Sequence, residues 1–309
     1  MYESHFGLRA RPFRPVPDAG SYYPATGHEQ ALDRLLSALR DGEGIALLTG
    51  PPGTGKTLLC HILLERLGEG YDVAFLTNSH VGDGAGLVRT ILHDLSLPFE
   101  GKGDQELRLG LTDHLLQTYA RGRHTLVIVD EAQNLPPDAL EELRLLGNLE
   151  GRDGRAVQVL LLAQPEFLDP LRMTSLPALR QRISVGARLA PLSVEEAADY
   201  LFHHVRAAGG RPDKVFADEA ISVLANGTKG VPRLLNQAAH QALGLACKAG
   251  MEQVDAEAAV EALALCGLEA KLEDQEDAPS DDPDDDRPGL QPRLNGKAKH
   301  GADEDGQMA

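Results

Sequence analysis

Residues 45–57 have the sequence IALLTGPPGTGKT, in which a short apolar run leads into a loop with three glycines that ends on Lys56 and Thr57. Glycine allows backbone conformations and close approaches that a Cβ would block, so successive N–H groups can surround a phosphate. From Leu58 to Leu67, apolar residues then recur at helical spacing. The order of strand, loop and helix predicts a phosphate-binding loop whose helix points its positive end at the anion.

The residues of this loop have distinct expected roles toward ATP. Lys56 would reach the β- and γ-phosphates as a point charge, and the Thr57 hydroxyl would ligate Mg²⁺. An ordinary glycine-rich turn is the alternative, but the flanking strand and helix favour a nucleotide site. The predicted nucleotide contacts are Gly50, Pro51, Pro52, Gly53, Thr54, Gly55, Lys56, Thr57 and Leu58.

A second apolar run, residues 126–129, ends on Asp130 and Glu131. Both residues would lie at the carboxyl edge of a parallel sheet, where ligands of open α/β sheets bind. We expect Asp130 to hold the Mg²⁺ shell through water and Glu131 to orient and polarise the attacking water. The alternative for this pair is to cap the helix predicted after Pro136.

Apolar runs and helical periodicity alternate through the first 190 residues, and only helical patterns follow Pro191. This order predicts an α/β fold with a parallel five-stranded sheet covered on both faces, followed by an all-α module. We expect an N-terminal arm over residues 1–30, a P-loop domain over 31–190, a helical domain over 191–268 and a disordered acidic tail over 269–309. The predicted strands are 45–49, 73–77, 125–130, 157–163 and 183–189; the predicted helices are 58–67, 87–95, 105–119, 137–149, 193–208, 218–225, 231–249 and 255–266.

The formal net charge of −17 is unevenly distributed, because residues 273–309 contain 12 Asp or Glu against 4 Lys or Arg. With so few apolar residues this segment cannot offset the entropy of ordering, which predicts disorder. It would serve as a solubilising tail, with docking of a basic partner or mimicry of nucleic acid as the alternatives. The remaining residues carry too little positive charge to favour a strongly basic DNA-binding face.

Cysteine usage and hydropathy suggest where the protein works. The three cysteines, Cys60, Cys247 and Cys266, follow neither metal-ligand spacing nor a paired disulfide framework, which favours a reduced setting. Neither a secretory signal nor an apolar run long enough to span a bilayer is evident. We therefore expect a soluble cytoplasmic protein that reaches a membrane only through a partner.

Several motifs are spread along the chain. They are YESHFGL (2–8), Pro12-Phe13, Pro17-Asp18, GPPGTGKT (50–57), VDEAQNL (129–135), AQPE (163–166) and GVPRLLN (230–236). Together they resemble the AAA+ ATPases of the general secretion pathway protein A family, which includes relatives associated with pilus biogenesis and with exopolysaccharide or exosortase systems. The resemblance runs from Tyr2 to Leu268. That family usually continues into a transmembrane helix and a peptidoglycan-binding region, whereas this chain ends in an acidic stretch.

The resemblance implies roles for four further residues. Gln164 matches the polar residue that senses the γ-phosphate, with a satisfied strand-end amide as the alternative. Arg182, or else Arg180, matches the arginine finger that one subunit extends into its neighbour's site, with a surface ion pair as the alternative. Arg233 matches the second sensor, which bridges a helical lid and the γ-phosphate, although a plain helix start after Pro232 also explains this segment.

Three residues near the N-terminus have less specific roles. His28 and Glu29 precede a first amphipathic helix, which the sequence predicts ahead of the glycine-loop strand. They would either border the adenine or only begin that helix. Phe13 lies between Pro12 and Arg14. It is expected to anchor the N-terminal arm by packing rather than to stack on a base.

A finger in trans would make each ATP site incomplete in the monomer, which predicts a homo-oligomeric ring or filament. Three functions remain open. The chain could be an assembly or remodelling motor with a protein client in a secretion, pilus or polysaccharide-export system. It could instead be a DNA-associated ATPase like the transposition helpers, or a slow nucleotide-controlled switch. Scattered arginines such as Arg121 and Arg123 do not favour DNA as the partner.

Overall fold

The computed structural model describes residues 2–15, 19–77, 79–152, 154–172 and 176–269, without the side chain of residue 172. Two features predicted from the sequence lie outside these ranges. They are the Pro17-Asp18 motif and the acidic tail from residue 270 onward. The residues within these ranges form one compact unit.

Five parallel strands form a single sheet with the order β2-β3-β4-β1-β5. The predicted α/β class and five-stranded parallel sheet are therefore confirmed. The strand carrying the acidic pair, β3, is separated from the glycine-loop strand, β1, by β4 alone. The strands are β1 (Ile45–Thr49), β2 (Tyr71–Leu76), β3 (His124–Val129), β4 (Val157–Ala163) and β5 (Ile183–Arg188).

Both faces of the sheet are covered, as the continuous apolar strands require. Along β1, Ile45 and Leu47 belong to one hydrophobic cluster, whereas Ala46 and Leu48 belong to another on the opposite face. Neighbouring side chains of a strand point to opposite faces, so this division places a core on each side. The central strands are thereby held between two helical layers.

Helices α1 to α7 surround the sheet or lead into it, and α8 to α12 form the helical region. Most predicted helix ends are within a few residues of those observed. The first helix begins at Thr26, so His28 and Glu29 lie in its first turn rather than before it. The helices are α1 (Thr26–Arg40), α2 (Lys56–Leu67), α3 (Gly84–Asp94), α4 (Asp104–Ala120), α5 (Pro137–Leu146), α6 (Leu168–Arg172), α7 (Pro177–Arg182), α8 (Val194–Ala207), α9 (Pro212–Val215), α10 (Asp218–Gly227), α11 (Pro232–Ala249) and α12 (Ala256–Leu265).

The N-terminal arm packs into the core of the helical region. Tyr2, Phe6, Leu8 and Phe13 are all buried in the same hydrophobic cluster as the inner faces of α8, α10, α11 and α12. Phe13 is only 1% exposed, which confirms its predicted packing role. The arm therefore belongs structurally to the helical region, although α1 follows it directly in sequence.

Hydrogen bonds reinforce this attachment. The Tyr2 hydroxyl lies 2.8 Å from Nδ1 of His240 on α11, and the Arg9 N–H donates to the Ala208 carbonyl at 2.8 Å. Of the helices in the described ranges, none combines the length and apolarity needed to cross a membrane.

Candidate functional site

The glycine loop connects the carboxyl end of β1 to the amino end of α2. The Gly50 N–H donates to the Ala163 carbonyl of β4 at 3.2 Å, which ties the start of the loop to the sheet. Gly53 and Gly55 have φ values of 81° and 95°. Residues with a side chain rarely adopt such a left-handed backbone conformation, so the turn into α2 depends on glycine at both positions.

Two further contacts shape the loop from within. Thr54 is fully buried, and its hydroxyl donates to the Pro51 carbonyl at 2.8 Å. Nε2 of His28, in the first turn of α1, lies 2.8 Å from the Thr54 carbonyl. His28 is itself buried, and its contact with Thr54 links α1 to the loop.

The Lys56 side chain folds back across the loop. Its Nζ donates to the Gly50 carbonyl at 2.9 Å and to the Pro51 carbonyl at 3.3 Å. Burial lowers the pKa of Lys56 below its ordinary value, and the carboxylates of Glu131 and Asp130 act in the opposite direction. The ammonium group therefore lies within the curve of the loop, where a bound phosphate would need a positive charge.

Thr57 and Asp130 meet beside the loop. The Thr57 hydroxyl donates to Oδ2 of Asp130 at 2.6 Å, and Oδ1 of Asp130 accepts from the N–H of Glu131 at 2.9 Å. These hard oxygen donors fit Mg²⁺, which is bound in proteins by few side chains together with phosphates and water. In the described ranges no cluster of three or more His, Cys, Asp or Glu could hold a metal ion.

Glu131 is held in a left-handed conformation with φ 52° and ψ 43°. Ser79, just after β2, donates to its carbonyl at 2.9 Å. The Glu131 carboxylate accepts hydrogen bonds from Gln164 Nε2 at 3.0 Å and from Gln133 Nε2. Burial raises the pKa of Glu131, but these two amide hydrogen bonds and the charges of Lys56 and Arg233 outweigh burial and keep the pKa below its ordinary value.

Gln133 and Ser79 were not predicted as site residues. Gln133 lies inside the quoted VDEAQNL motif, so its position two residues after Glu131 was the available signal. Ser79 carries no comparable sequence signal, because it reaches the site only through the pairing of β2 with β3.

Arg233 belongs to the first turn of α11. Its N–H donates to the Gly53 carbonyl at 3.2 Å, and a Cβ added to Gly53 would lie only 2.9 Å from the Arg233 Cβ. The helical region therefore contacts the glycine loop directly. The Arg233 charge acts on both Lys56 and Glu131.

Arg180 and Arg182 lie elsewhere. Both are exposed residues of α7, and Arg182 immediately precedes β5, whose first residue pairs with Ile45 at the amino end of β1. The glycine loop lies beyond the opposite end of β1, about 17 Å away along a five-residue strand. The structure thus does not bring either arginine to the site of its own chain.

A small cavity beside the loop completes the site. It lies where the segment before α1, the loop, the start of α2 and the helical region meet. Aromatic rings make up much of its lining. The lining residues are Ser21, Tyr22, Tyr23, His28, Thr54, Gly55, Leu58, Leu192, Tyr200, His204 and Pro232.

A glycine loop at the end of a strand, a lysine within it and a hydroxyl beside an acidic strand end define a P-loop nucleotide-binding protein. In this chain a helical region also touches the loop. The comparisons with known proteins agree. A family model described as an AAA domain matches residues 39–171.

Two curated relatives and one solved structure extend the comparison. The chain is 36% identical over 255 residues to general secretion pathway protein A of Aeromonas hydrophila, covering 82% of this chain and 46% of that protein. It is 28% identical over 255 residues to the Holliday junction branch migration complex subunit RuvB of Chlorobium luteolum, covering 77% and 64%. The ORC2 protein of Aeropyrum pernix, solved as ADPNP-ADP complexes, matches with a TM-score of 0.60 and 19% identity, covering 77% and 66%.

The chain contains an AAA domain over residues 39–171, and its resemblance to general secretion pathway protein A is confirmed. It spans about half the length of that relative, 46%. The match to the ORC2 protein is a likeness of fold.

Proposed function

We propose that this chain binds ATP with Mg²⁺ and hydrolyses it to ADP and phosphate. The observation that carries the proposal is the convergence of Lys56, the Thr57–Asp130 pair and the Glu131 carboxylate at one edge of the sheet. The loop N–H groups and Lys56 would hold the phosphates. Residues 191–268 would act as a lid that contacts the loop through Arg233.

In the reaction, Glu131 accepts a proton from a water whose oxygen attacks the γ-phosphorus. The bond to the β–γ bridging oxygen breaks, and ADP leaves. Mg²⁺ supplies charge neutralisation at the phosphate oxygens, with Thr57 and Asp130 as the residues that would hold it. Gln164 and Arg233 would donate to the γ-phosphate.

The test is the Glu131→Gln variant, which keeps the shape of the side chain and removes its basicity. We expect ATP binding to be retained and phosphate release to fall at least about 100-fold. Glu141→Gln, an exposed position on α5, is the matched control and should hydrolyse normally. Undiminished phosphate release by Glu131→Gln would reject Glu131 as the base.

We further propose that Arg182 enters the ATP site of a neighbouring copy in a ring or filament. Its position at the amino edge of the sheet, away from its own loop, supports an action in trans. Hydrolysis per subunit should then rise with protein concentration.

Mixing two inactive variants gives the sharper test. Glu131→Gln retains the finger, and Arg182→Ala retains the base, so hydrolysis should reappear when the two are mixed. Arg180→Ala in place of Arg182→Ala is the control, and it should remain active alone. If mixing restores nothing and turnover stays flat with concentration, the trans finger is wrong.

We propose a protein client for this ATPase, in a secretion, pilus or polysaccharide-export assembly. The similarity to general secretion pathway protein A supports this role. A cytoplasmic protein that meets the membrane through its client would fit it. Glu131→Gln held in its ATP state should capture the client in a pull-down, and a variant that captures nothing beyond what Lys56→Ala captures would argue against a client.

Similarity to RuvB supports DNA as a second candidate partner. Duplex DNA should then stimulate hydrolysis, and the stimulation should weaken steeply with salt because phosphate contacts release counterions. Hydrolysis that is indifferent to duplex DNA at low salt would remove this candidate.

A further inference from the structure

The short turn after Glu131, Ala132–Asn134, carries a carboxamide that connects two neighbouring strand ends. Gln133 donates through Nε2 to Oε2 of Glu131, which follows β3. Its Oε1 accepts from the backbone N–H of Gln164, which follows β4, at 3.1 Å. One side chain therefore ties the candidate base to the backbone of the adjacent strand.

Chemistry allows only one orientation of this carboxamide. A backbone N–H can only donate, and an ionised carboxylate can only accept. The oxygen of Gln133 must therefore face Gln164, and its NH₂ must face Glu131. Replacing Gln133 with an apolar or acidic residue would leave at least one of these bonds unmade.

The carboxylate of Glu131 receives a second amide. Gln164 Nε2 donates to the same oxygen, Oε2, at 3.0 Å. Among the described residues, the hydrogen bonds from both glutamines converge on Oε2, so Oε1 is the oxygen left to accept a proton from water. The left-handed backbone of Glu131 is uncommon for a non-glycine residue, so its position depends on such supports.

The two glutamines differ in how they are anchored. The Gln133 side chain is bonded at both ends, to Glu131 and to a strand-end backbone. The side-chain amide of Gln164 bonds to Glu131, and the proposed function also requires this amide at the γ-phosphate. A donor that is drawn to the phosphate leaves the carboxylate, whereas one fixed at both ends stays.

We propose that Gln133 is the positioning residue that keeps Glu131 aimed during hydrolysis, and that Gln164 is an exchangeable donor that passes from Glu131 to the γ-phosphate when ATP binds. This rests on the proposed role of Glu131 as the base. The Glu131 carboxylate would therefore lose one of its two amide hydrogen bonds only when ATP is bound.

The first test separates turnover from binding. Gln133→Met keeps the side-chain length and removes both polar ends, so kcat should fall roughly 10- to 100-fold through misorientation of the base. KM and ATP affinity should change less than about twofold. Gln133→Glu restores an acceptor but places a like charge beside Glu131, so it should be no faster than Gln133→Met.

Asn134→Leu is the matched control, because it removes a carboxamide from the same turn at an exposed position. It should keep the kcat of the unmodified chain. In a double-mutant cycle, Gln133→Met should add no further loss to Glu131→Gln, because the base that it positions is already absent.

The second test does not depend on turnover. In a chain with ¹⁵N-labelled glutamine, the carboxamide signals of Gln133 and Gln164 can be assigned by their loss in the two Met variants. A non-hydrolysable ATP analogue should shift the Gln164 signal and leave that of Gln133 in place. Movement of both signals, or of Gln133 alone, would overturn the exchange.

The outcomes separate this inference from the proposed function. If Glu131→Gln still hydrolyses ATP, the role of the base fails. If Glu131→Gln is inactive but Gln133→Met retains normal kcat, or loses ATP affinity in proportion to kcat, only the positioning role of Gln133 is wrong.

Discussion

Gly53 illustrates how a single missing side chain supports the site. Its backbone has φ 81°, and an added Cβ would lie 2.9 Å from the Arg233 Cβ and 3.1 Å from Cγ1 of Val231. Both the loop conformation and the close approach of the helical region therefore require glycine here.

We predict that Gly53→Ala weakens ATP binding and lowers the unfolding midpoint, because the new methyl group strains the loop and pushes α11 away. Binding of a fluorescent ATP analogue and thermal unfolding measure the two effects. Gly110→Ala is the control, since Gly110 lies in the interior of α4 with open space around it. That change should instead stabilise the chain by about 0.5–1 kcal/mol.

His204 is a buried histidine of α8 that the proposed mechanism does not use. Its ring lies 4.2 Å from that of Tyr200, centroid to centroid, and neither ring nitrogen has a hydrogen-bond partner among the described residues. Burial lowers the pKa of His204 from 6.5 to about 4, and His203 acts in the same direction. The Pro12 carbonyl opposes this shift but lies outside hydrogen-bond geometry.

A depressed histidine pKa means that the unfolded chain binds the proton more readily than the folded one. The free energy of unfolding should therefore fall as pH drops from about 6.5 towards 4, by a total on the order of 3 kcal/mol. His204→Phe should flatten this dependence, whereas His93→Phe at an exposed position should not. Denaturant unfolding at pH 7 and at pH 5 measures both, and equal slopes for wild type and His204→Phe would contradict the assignment.

Among the elements, α8 has the clearest start signal. Its Ser193 hydroxyl accepts from the N–H of Glu196 at 3.1 Å, and the Glu196 carboxylate accepts from the N–H of Ser193 at 3.2 Å, which forms a capping box. Glu196 also accepts from the N–H of Thr26 at 3.2 Å. The cap thus joins the first helix of the helical region to the first residue of α1.

We predict that Ser193→Ala costs about 1 kcal/mol of the free energy of unfolding, because it leaves a helix N–H without its acceptor. Ser222→Ala is the control. That hydroxyl donates back to the Asp218 carbonyl within α10 and caps nothing, so its loss should stay within about 0.5 kcal/mol. Urea unfolding compares the two, and equal costs would show that the cap contributes no special stability.

Element types follow from sequence pattern, but some element ends depend on neighbours. The helix after the glycine loop begins at Lys56, two residues before its apolar repeat, because Gly55 supplies the left-handed turn that starts it. The helix predicted over 137–149 ends at Leu146. The last carbonyls of this helix accept hydrogen bonds from backbone N–H groups just after it. The Arg155 side chain donates to the Gly147 carbonyl at 2.7 Å, a contact that no local pattern encodes.

At the scale of the whole molecule, the N-terminal arm and the helical region share one core. Phe13 packs against His204 and Phe216, with ring centroids 5.9 Å and 6.2 Å apart. The arm then leads through the aromatic lining of the cavity into α1, which bonds the loop through His28. The arm, the helical region and the loop therefore form one continuous packed region.

We predict that Phe13→Ala lowers the free energy of unfolding by about 3–5 kcal/mol, because it opens a cavity in this shared core. Leu109→Ala, at a position that is 58% exposed, should cost less than about 0.5 kcal/mol. Guanidinium unfolding provides the comparison. Similar costs for the two would mean that the arm is only loosely attached.

The sequence alone determined the glycine loop, the acidic pair and the alternation of strands with helices, because each depends on residues adjacent in the chain and on their period. Tertiary structure decided what these features touch. The strand order places Gln164 between the loop and Glu131, and the packing of α11 brings Arg233 to Gly53. Tertiary packing also places the arm in the core of the helical region. Contacts of this kind join segments that are distant in the chain, so no local sequence pattern specifies them.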